Sequence, residues 1–555
     1  MNIFSRKAVL GTALGLSALT LVSFKTESER YFDIAKNLDI FATLFKEVNT
    51  YYVDEVTPSK LVKTGIDAML KSLDPYTNYI PEDDIEDFRT MTTGQYGGIG
   101  AIIGKRNDKV IVQEPYENFP AHLGGLLTGD EILKVDGIDV RKKNTADVSK
   151  LLKGQAGTVV KLEIKRYGVE NPMQIDITRQ KIHIDNVPYA GMVDNEIGYF
   201  RLSGFTVDAS REVRNAVTKL KEQGAKKIIF DLRDNPGGLL NESVNISNLF
   251  IDKGKEVVST KGKVVDWNKS YKALDNPFDT EIPMAILISS RSASAAEIVS
   301  GVMQDYDRAV LVGERTFGKG LVQATRPLSY NSQLKVTTAK YYIPSGRCIQ
   351  AIDYAHRAED GSIGKIPDSL RVAFKTAGGR VVYDGGGVLP DIEVKPKDLS
   401  QISKTLLVKG YIFDFGTQFR AANPTIAPAK DFKITDQEYD KFLKYLADKD
   451  INYSTAMEKS LEDLVKKAEA EKHLDDIEVE LEAMKKKVIT NKSNDLTRFK
   501  DEITELLEDE IVSRYYFQKG SVEARFDDDE TILEAVKVLK DENKYKSILT
   551  ATAKK

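Results

Sequence analysis

The sequence predicts a multidomain α/β protein, and three observations support this class. The chain has 555 residues, which is too long for one hydrophobic core and corresponds to roughly three or four domains. Between residues 183 and 395, strand-like apolar runs alternate with helix-like segments, as in an α/β layer of mostly parallel strands. Glycine-punctuated β-branched runs precede this region, and Lys/Glu-rich segments with helical apolar spacing follow it.

The N-terminus has the pattern of an export signal. Arg6 and Lys7 precede an uncharged stretch, residues 8–24, and the polar sequence KTESER follows at once. A charged start, an apolar centre and an abrupt polar end are typical of such signals. Residues 1–25 are therefore predicted to be a signal peptide or an N-terminal anchor. We expect an exported protein, either periplasmic or membrane-anchored and facing the periplasm.

Four further regions follow from the apolar spacing. Residues 30–91 predict a helical N-terminal domain, and residues 92–182 predict a small β-rich module with one helix. Residues 183–399 predict the α/β core, where strand-to-helix turns are the expected place for chemistry. Residues 400–555 predict a helical C-terminal extension, whose apolar stripe we interpret as a packing face.

Composition argues against two classes of function. With 80 Lys and Arg against 84 Asp and Glu, the formal charge of -4 shows no basic excess of the kind that a general nucleic-acid binder carries. The single cysteine, Cys348, permits no intramolecular disulfide and no cysteine-based metal cluster. The four histidines include no HxH or HxxH pair. We therefore expect no nucleic-acid partner and no metal. No organic cofactor is expected either, because the chemistry predicted below requires none.

The sequence GERTFGKGLVQ, residues 313–323, is close to a phosphate-binding loop. That loop requires a Ser or Thr after the lysine and a helix behind it, because the hydroxyl binds magnesium and the helix N-terminus faces the phosphates. Here Gly320 follows Lys319, and an extended segment with Pro327 follows in place of a helix. A lysine stripped of water can instead serve as a general base, because its pKa falls toward neutrality.

A serine and a glycine-rich turn complete a candidate site. Ser294 lies among small residues where a strand runs into a helix, although Ser294 and Glu297 also fit an ordinary capping box. The turn NPGG, ending at Gly238, has backbone N–H groups that suit an oxyanion hole, although it is also an ordinary tight turn. If the strands are parallel, the serine, the lysine and the glycine amide share one sheet edge.

These residues carry a family resemblance. The block SASAAEIVSGVMQDYDRAVLVGERTFGKGLVQ resembles the active site of the C-terminal processing peptidases, tail-specific serine proteases with a Ser/Lys dyad and a crotonase-like core. SLDPYTNYI, YIPSGRCIQ and GGGVLPDIEV extend the resemblance over about residues 35–395. It implies that Ser294 is the nucleophile, Lys319 the general base and Gln323 the residue that positions the lysine. It also implies that the backbone N–H groups of Gly238 and Ala295 form the oxyanion hole.

The β-rich module resembles a PDZ domain through YGGIGAIIG and LLTGDEILKVDGIDV. PDZ domains capture a terminal carboxylate with backbone amides while the peptide adds as a strand. The resemblance implies that the carboxylate loop consists of Gly98, Ile99, Gly100 and Ala101. There are two departures from the family pattern: Ala296 replaces a small hydroxyl residue, and AHLGGL replaces AxxAGL. The first leaves the dyad intact, and the second leaves the peptide preference open.

The predicted function is that of an exported serine endopeptidase that recognises and cleaves proteins through their C-terminal tails. Its expected partners are proteins or peptides with exposed apolar C-termini. The sequence does not specify an adaptor protein, a homo-oligomer or a membrane tether through residues 1–25, and leaves all three open. The main alternative is a non-catalytic PDZ scaffold that only binds tails, which would require neither Ser294 nor Lys319. A crotonase-like acyl-CoA enzyme is a third reading, which export and a PDZ module disfavour.

Overall fold

The computed structural model describes residues 29–357 and 361–550, except for the side chains of residues 489–493. The predicted signal segment, residues 1–25, lies outside this range. Among the described helices, none is both long enough and apolar enough to cross a membrane. The chain divides into two compact units, and the division falls between Tyr79 and Ile80.

The first unit is helical, as predicted. Helix α1 covers residues 29–51 and helix α2 covers Pro58–Lys71, followed by the short strand β1 (Asn78–Ile80). Pro58 begins α2. Proline is tolerated there because the first N–H of a helix has no intrahelical acceptor in any case. Helix α1 exposes large apolar side chains, including Tyr31, Leu38 and Phe41.

The β-rich module forms the start of the second unit. After a 3-10 turn (Glu82–Asp84), its elements are α3 (Ile85–Thr93), β2 (Gln95–Gly98), β3 (Ala101–Arg106), β4 (Lys109–Pro115), α4 (Pro120–Leu123), β5 (Glu131–Val135), β6 (Ile138–Asp139), α5 (Thr145–Leu152), β7 (Val159–Lys165), β8 (Met173–Thr178) and β9 (Gln180–His183). The antiparallel sheet has the order β3-β4-β5-β7-β8, and β2 pairs with β9. Strand β3 is therefore at an edge, and the module has its own core, which includes Val110, Ile132 and Leu162.

The α/β core alternates strands and helices as predicted. Its elements are β10 (Tyr189–Met192), β11 (Ile197–Arg201), α6 (Ala209–Glu222), β12 (Lys227–Asp231), α7 (Leu240–Phe250), β13 (Glu256–Gly262), β14 (Lys269–Lys272), β15 (Met284–Ile288), α8 (Ala295–Asp305), β16 (Val310–Gly313), β17 (Leu321–Pro327), β18 (Gln333–Tyr342), β19 (Ala373–Lys375), β20 (Val381–Tyr383) and β21 (Ile392–Glu393). The main sheet has the order β10-β11-β12-β15-β16-β21, and its pairs are parallel except for β10 with β11.

A second, antiparallel sheet joins β17, β18, β13 and β14. Strand β17 begins two residues after Lys319, so the lysine loop runs directly into this sheet. The extended segment after the lysine was predicted from the sequence, but the sheet to which it belongs was not.

The C-terminal region is helical, as predicted. Its helices are α9 (Gln401–Val408), α10 (Tyr411–Ala422), α11 (Asp436–Leu446), α12 (Ala456–Glu471), α13 (Leu474–Ser493), α14 (Asp495–Arg498), α15 (Lys500–Ala524), α16 (Glu530–Lys540) and α17 (Glu542–Thr550). Helices α9, α10, α11 and α15 share a core that includes Phe415, Phe442 and Ile511.

The last helices of the chain cover one face of the main sheet. Ile532 and Val538 of α16 pack in one apolar cluster with Tyr199, Ile229 and Leu287 of the strands. Helices α6, α7 and α8 cover the opposite face. Strands buried on both faces are expected to be apolar without interruption, as the sequence MAILI of β15 is. The C-terminal helices are therefore a structural layer of the core.

The β-rich module contacts the C-terminal helices. The Arg106 guanidinium donates to the Asp414 carboxylate (2.8 Å) and to the Gly410 carbonyl, and it lies over the Phe413 ring. The rings of His122 and Phe517 meet edge-on, with centroids 4.8 Å apart. Phe517 has a non-helical backbone (φ 55°, ψ −162°) that kinks α15 at this contact.

Candidate active site

Three neighbouring strands end at one edge of the main sheet. Strands β12, β15 and β16 are parallel and adjacent, and the glycine turn, Ser294 and Lys319 follow them in that order. The prediction that these three segments share a sheet edge is thus confirmed. The carboxyl end of a parallel sheet is a common place for a ligand site, because the loops after successive strands converge there.

Ser294 has a backbone conformation that few side-chain-bearing residues adopt. Its φ of 56° and ψ of −115° lie immediately before the first residue of α8. Such a conformation costs about 1–3 kcal/mol and is found where the surrounding structure imposes it. The neighbouring Ser292 is fully buried, and its hydroxyl donates to the Leu232 carbonyl (2.7 Å). Ser292 is therefore structural, whereas the partly exposed Ser294 begins the helix that faces the glycine turn.

The Glu297 carboxylate joins the serine segment to the lysine loop. One of its oxygens accepts the backbone N–H groups of Ser294 and Lys319, each at 2.8 Å. The other accepts the Gly318 N–H (2.7 Å) and the Thr316 hydroxyl (2.5 Å). Glu297 is fully buried, and burial raises its pKa to about 7 although these hydrogen bonds lower it. The contact with Ser294 is the one that the capping-box pattern predicted, and the contacts with residues 316–319 were not predicted.

Tyr341 joins the same two segments from the second sheet. Its hydroxyl oxygen lies 2.5 Å from the Lys319 carbonyl oxygen and 3.1 Å from the Ser294 carbonyl oxygen, within donating distance of both. The side chain is 1 % exposed, at the end of β18. Tyr341 and Glu297 together hold the main chains of Ser294 and Lys319 side by side. These contacts involve only the main-chain atoms of Ser294 and Lys319.

The glycine turn lies directly against Ser294. Gly237 has a φ of 93°, and a Cβ there would lie 2.8 Å from both the Ser294 Cβ and the Ala295 nitrogen. Asn235 holds the turn, because its side chain accepts the Gly237 N–H (2.8 Å) and donates to the Leu202 carbonyl (2.7 Å). The N–H groups of Gly238 and Ala295 donate no hydrogen bond to any residue that the structure describes. Two free amides beside a serine can receive a developing oxyanion.

Gln323 is the third predicted catalytic side chain. It lies on β17, and its side-chain amide donates to the Thr337 hydroxyl (3.2 Å) on the paired strand β18. A β-bulge between Val322 and Gln323 shifts the pairing at this point. Gln323 is therefore held by the second sheet, four residues beyond the lysine. Its role toward Lys319 stays a prediction.

The predicted carboxylate loop connects β2 to β3 in the β-rich module. Gly98 ends β2, the side chain of Ile99 is buried in the module core, and Ala101 begins the edge strand β3. Gly100 has a φ of 73° and lies close to Phe119. Within the described parts of the chain, the Ile99 and Gly100 N–H groups have no acceptor. Free amides next to an open strand edge fit the capture of a peptide terminus.

One group of described residues has the spacing of metal ligands. His183 Nε2 lies 3.3 Å from Glu212 Oε1 and 3.9 Å from Asp185 Oδ1. The Glu212 carboxylate also accepts the Asn186 amide (2.9 Å) and the Val187 N–H (3.0 Å). The group lies where β9 leaves the β-rich module, and none of its members belongs to the three segments around Ser294. Hydrogen bonding between α6, which carries Glu212, and the segment from His183 to Val187 accounts for these contacts.

Comparisons with known proteins agree with this organisation. A family model described as peptidase family S41 matches residues 196–356, and a PDZ domain model matches residues 111–166. A third, described as probable PDZ-protease, C-terminal helical domain, matches residues 402–539. The chain is thus a serine-type peptidase with a PDZ domain, a protease core and a helical C-terminal domain.

Named relatives match more than half of the chain. A carboxy-terminal-processing protease of Bartonella bacilliformis is 37% identical over 349 residues, covering 62% of this chain and 79% of its own. A probable CtpA-like serine protease of Staphylococcus aureus (strain COL) is 36% identical over 348 residues, covering 61% and 69%. A solved photosystem II D1 C-terminal processing protease is 27% identical, with a TM-score of 0.35, over 65% of this chain and 93% of its own. By its kinship with the first of these, the chain belongs to the carboxy-terminal-processing protease family.

Proposed function

We propose that the protein is an exported endopeptidase that binds substrates by their C-terminal tails and cleaves them with a Ser294/Lys319 dyad. The observation that carries the proposal is the double tether at the main chains of these two residues. Glu297 accepts both of their N–H groups, and the Tyr341 hydroxyl lies within hydrogen-bond distance of both of their carbonyls. Tail binding alone would not require this arrangement.

The proposed reaction begins with proton transfer within the dyad. The neutral Lys319 amine takes the Ser294 hydroxyl proton as the oxygen attacks the substrate carbonyl carbon. The carbonyl oxygen becomes an oxyanion, which the N–H groups of Gly238 and Ala295 receive. The lysine then gives its proton to the leaving amine, and water hydrolyses the resulting acyl-enzyme. Gln323 is proposed to orient the lysine from β17.

Tail recognition is proposed to take place on the PDZ module. A substrate would add as a strand to the open edge of β3, with its carboxylate at the loop from Gly98 to Ala101. We expect a peptide with a free apolar C-terminus to compete with a full-length substrate. The same peptide with an amidated C-terminus should compete at least tenfold less well, because a neutral amide loses the charge-assisted hydrogen bonds. Equal competition by the two peptides would contradict this mode of recognition.

The dyad is tested with an unfolded protein substrate that carries an apolar tail. Ser294→Ala and Lys319→Ala should each abolish cleavage, whereas the nearby exposed Ser290→Ala should not. A serine-reactive phosphonate should label the wild-type protein at Ser294. A fully active Lys319→Ala variant would exclude the dyad, and failure of the phosphonate to label would favour the scaffold that only binds tails.

We further propose that residues 1–25 direct export. Fractionation of cells that express the full chain, followed by N-terminal sequencing, should place the protein outside the cytoplasm. It should also distinguish a cleaved signal from a retained anchor. Retention in the cytoplasm would contradict this part of the proposal. Measurement of the mass of the purified protein would show whether an adaptor or a second copy is bound.

A further inference from the structure

A partly buried ion pair connects the last helical layer to the strand that carries the glycine turn. The Arg233 guanidinium donates to both oxygens of Asp529, at 3.0 and 2.7 Å, across 296 residues of sequence. Less than a fifth of either side chain is exposed, 19% for Arg233 and 17% for Asp529. Both hydrogen bonds come from one guanidinium nitrogen, Nη1, while Nε and Nη2 donate to Asp231, so the two carboxylates together fix the orientation of the guanidinium.

Both ends of this contact are held rigidly. On the helical side, Asp529 caps α16 by accepting the Thr531 and Ile532 N–H groups at 3.0 and 3.1 Å. On the sheet side, Arg233 also donates to the buried Asp231 at the end of β12, with a shortest distance of 2.7 Å. Burial disfavours the charged form of Asp231, yet the Arg233 guanidinium helps to hold the pKa of Asp231 below its usual range.

The glycine turn begins immediately after Arg233. Asp234 has a φ of 61°, and its N–H donates to the Ser289 hydroxyl (3.0 Å), which lies on the segment leading to Ser294. Asn235 accepts the Ala293 N–H on its carbonyl (2.9 Å), so the turn and the serine segment are also joined there. A displacement of Arg233 would therefore be passed to residues 234–238 through a short, hydrogen-bonded chain.

We infer that Arg233 and Asp529 are positioning residues, through which the C-terminal helical domain sets the geometry of the Gly238 amide. This inference rests on the proposed oxyanion hole. Helix α16 is packed on the sheet by its apolar face, and its N-terminal carboxylate fixes the one guanidinium that precedes the turn. The C-terminal domain thereby contributes to transition-state binding without contacting the substrate.

The test separates loss of the ion pair from loss of the helix cap. Serine caps helices about as well as aspartate but is too short to reach Arg233, so Asp529→Ser keeps the start of α16 and removes the contact. Asp529→Asn keeps the cap and the length but removes the charge. The matched control is Asp528→Ser, because Asp528 pairs with Lys433 and not with Arg233. All variants are compared as full chains, well below their unfolding temperatures.

We expect Asp529→Ser to lower kcat by about 10- to 100-fold, since small misplacements of a reacting group cost this much. KM and the affinity for a free-tail peptide should not change. The affinity for a peptidyl boronic acid, whose adduct with serine is tetrahedral, should fall in parallel with kcat. Asp529→Asn should fall between wild type and Asp529→Ser, and Asp528→Ser should match wild type.

Two outcomes would overturn the inference. One is an unchanged kcat in Asp529→Ser at a lower unfolding temperature, which would show a structural role only. The other is a kcat loss without a loss of boronate affinity, which would place the effect away from the oxyanion hole. Failure of the proposed function is distinguishable from both, because it would appear as retained activity in Ser294→Ala.

Discussion

Replacing Glu297 by Gln removes a buried charge while keeping the size of the side chain. The carboxylate accepts four hydrogen bonds and donates none. An amide has one accepting oxygen, so its NH₂ group must face either Gly318 and Thr316 or the N–H groups of Ser294 and Lys319. At least one buried N–H then loses its acceptor, at a cost of about 1–3 kcal/mol.

The sign of the stability effect depends on pH. Burial raises the Glu297 pKa from 4.5 to about 7, so between these values the folded chain keeps a proton that the unfolded chain has released. The free energy of unfolding must therefore fall as pH rises through this window, by about 3 kcal/mol at 1.36 kcal/mol per pKa unit. The stabilisation that comes from the Glu297 proton is fully present below pH 4.5 and lost above pH 7. A glutamine has no such proton.

Urea unfolding of wild type and Glu297→Gln across pH 4.5 to 8 measures this difference. Subtracting the two curves cancels the other titrating groups, and the wild-type advantage should shrink by about 3 kcal/mol from the acid to the alkaline end. The Gln variant should also lose at least tenfold in kcat above pH 7, because the N–H groups next to the dyad are no longer all held. Glu314→Gln, on the same loop, serves as the control. Parallel stability curves for wild type and Glu297→Gln would refute the reasoning.

Three further substitutions test individual contacts. Tyr341→Phe removes the hydroxyl between the two dyad carbonyls and should lower stability by about 1 kcal/mol in a thermal melt and kcat by about tenfold in a cleavage assay. Gly237→Ala should abolish cleavage, because its Cβ would overlap the serine segment. Its control is Gly254→Ala, because Gly254 also has a positive φ (89°) but has open space where the Cβ would lie. This variant should lower the free energy of unfolding by only about 1–2 kcal/mol and should not abolish cleavage. Gly100→Ala should abolish tail-peptide binding by calorimetry, while Gly125→Ala, with a φ of 81° and open space, should bind normally. If Gly237→Ala and Gly254→Ala, or Gly100→Ala and Gly125→Ala, had equal effects, the loss would come from backbone strain alone and not from overlap of the new Cβ with its neighbours.

Much of the fold could be predicted because it depends on local pattern. Apolar runs of strand length alternating with helical periods gave the parallel sheet, and adjacency of parallel strands then placed Ser294 and Lys319 at one edge. The antiparallel sheet of β13, β14, β17 and β18 was not predicted. Its two hairpins, β13 with β14 and β17 with β18, are joined only through the pairing of β13 with β18, which are far apart in the chain, and the sequence does not show that these two strands lie side by side.

The contacts that hold the site could not be predicted, for a related reason. Glu297 has the pattern of a cap, and nothing local to it indicates that residues 316–319 fold onto the same carboxylate. Tyr341 is one of 24 tyrosines and carries no motif. Arg233 and Asp529 are separated by more than half of the chain. Each contact depends on tertiary packing, which residue spacing alone does not determine.

The tethers act on the main chain, and this choice has a chemical reason. A nucleophile and a base must exchange a proton, so a contact that consumed the reacting proton or lone pair would compete with that exchange. Glu297 and Tyr341 instead hold N–H and carbonyl groups, and Asp529 holds a residue next to the turn. Sheet topology brings the three loops to one edge, but a loop can still move by more than the distance that proton transfer tolerates. Buried polar contacts to the backbone remove that freedom without involving the side chains of Ser294 and Lys319. The proposed dyad would therefore be held in place by residues that take no part in the reaction.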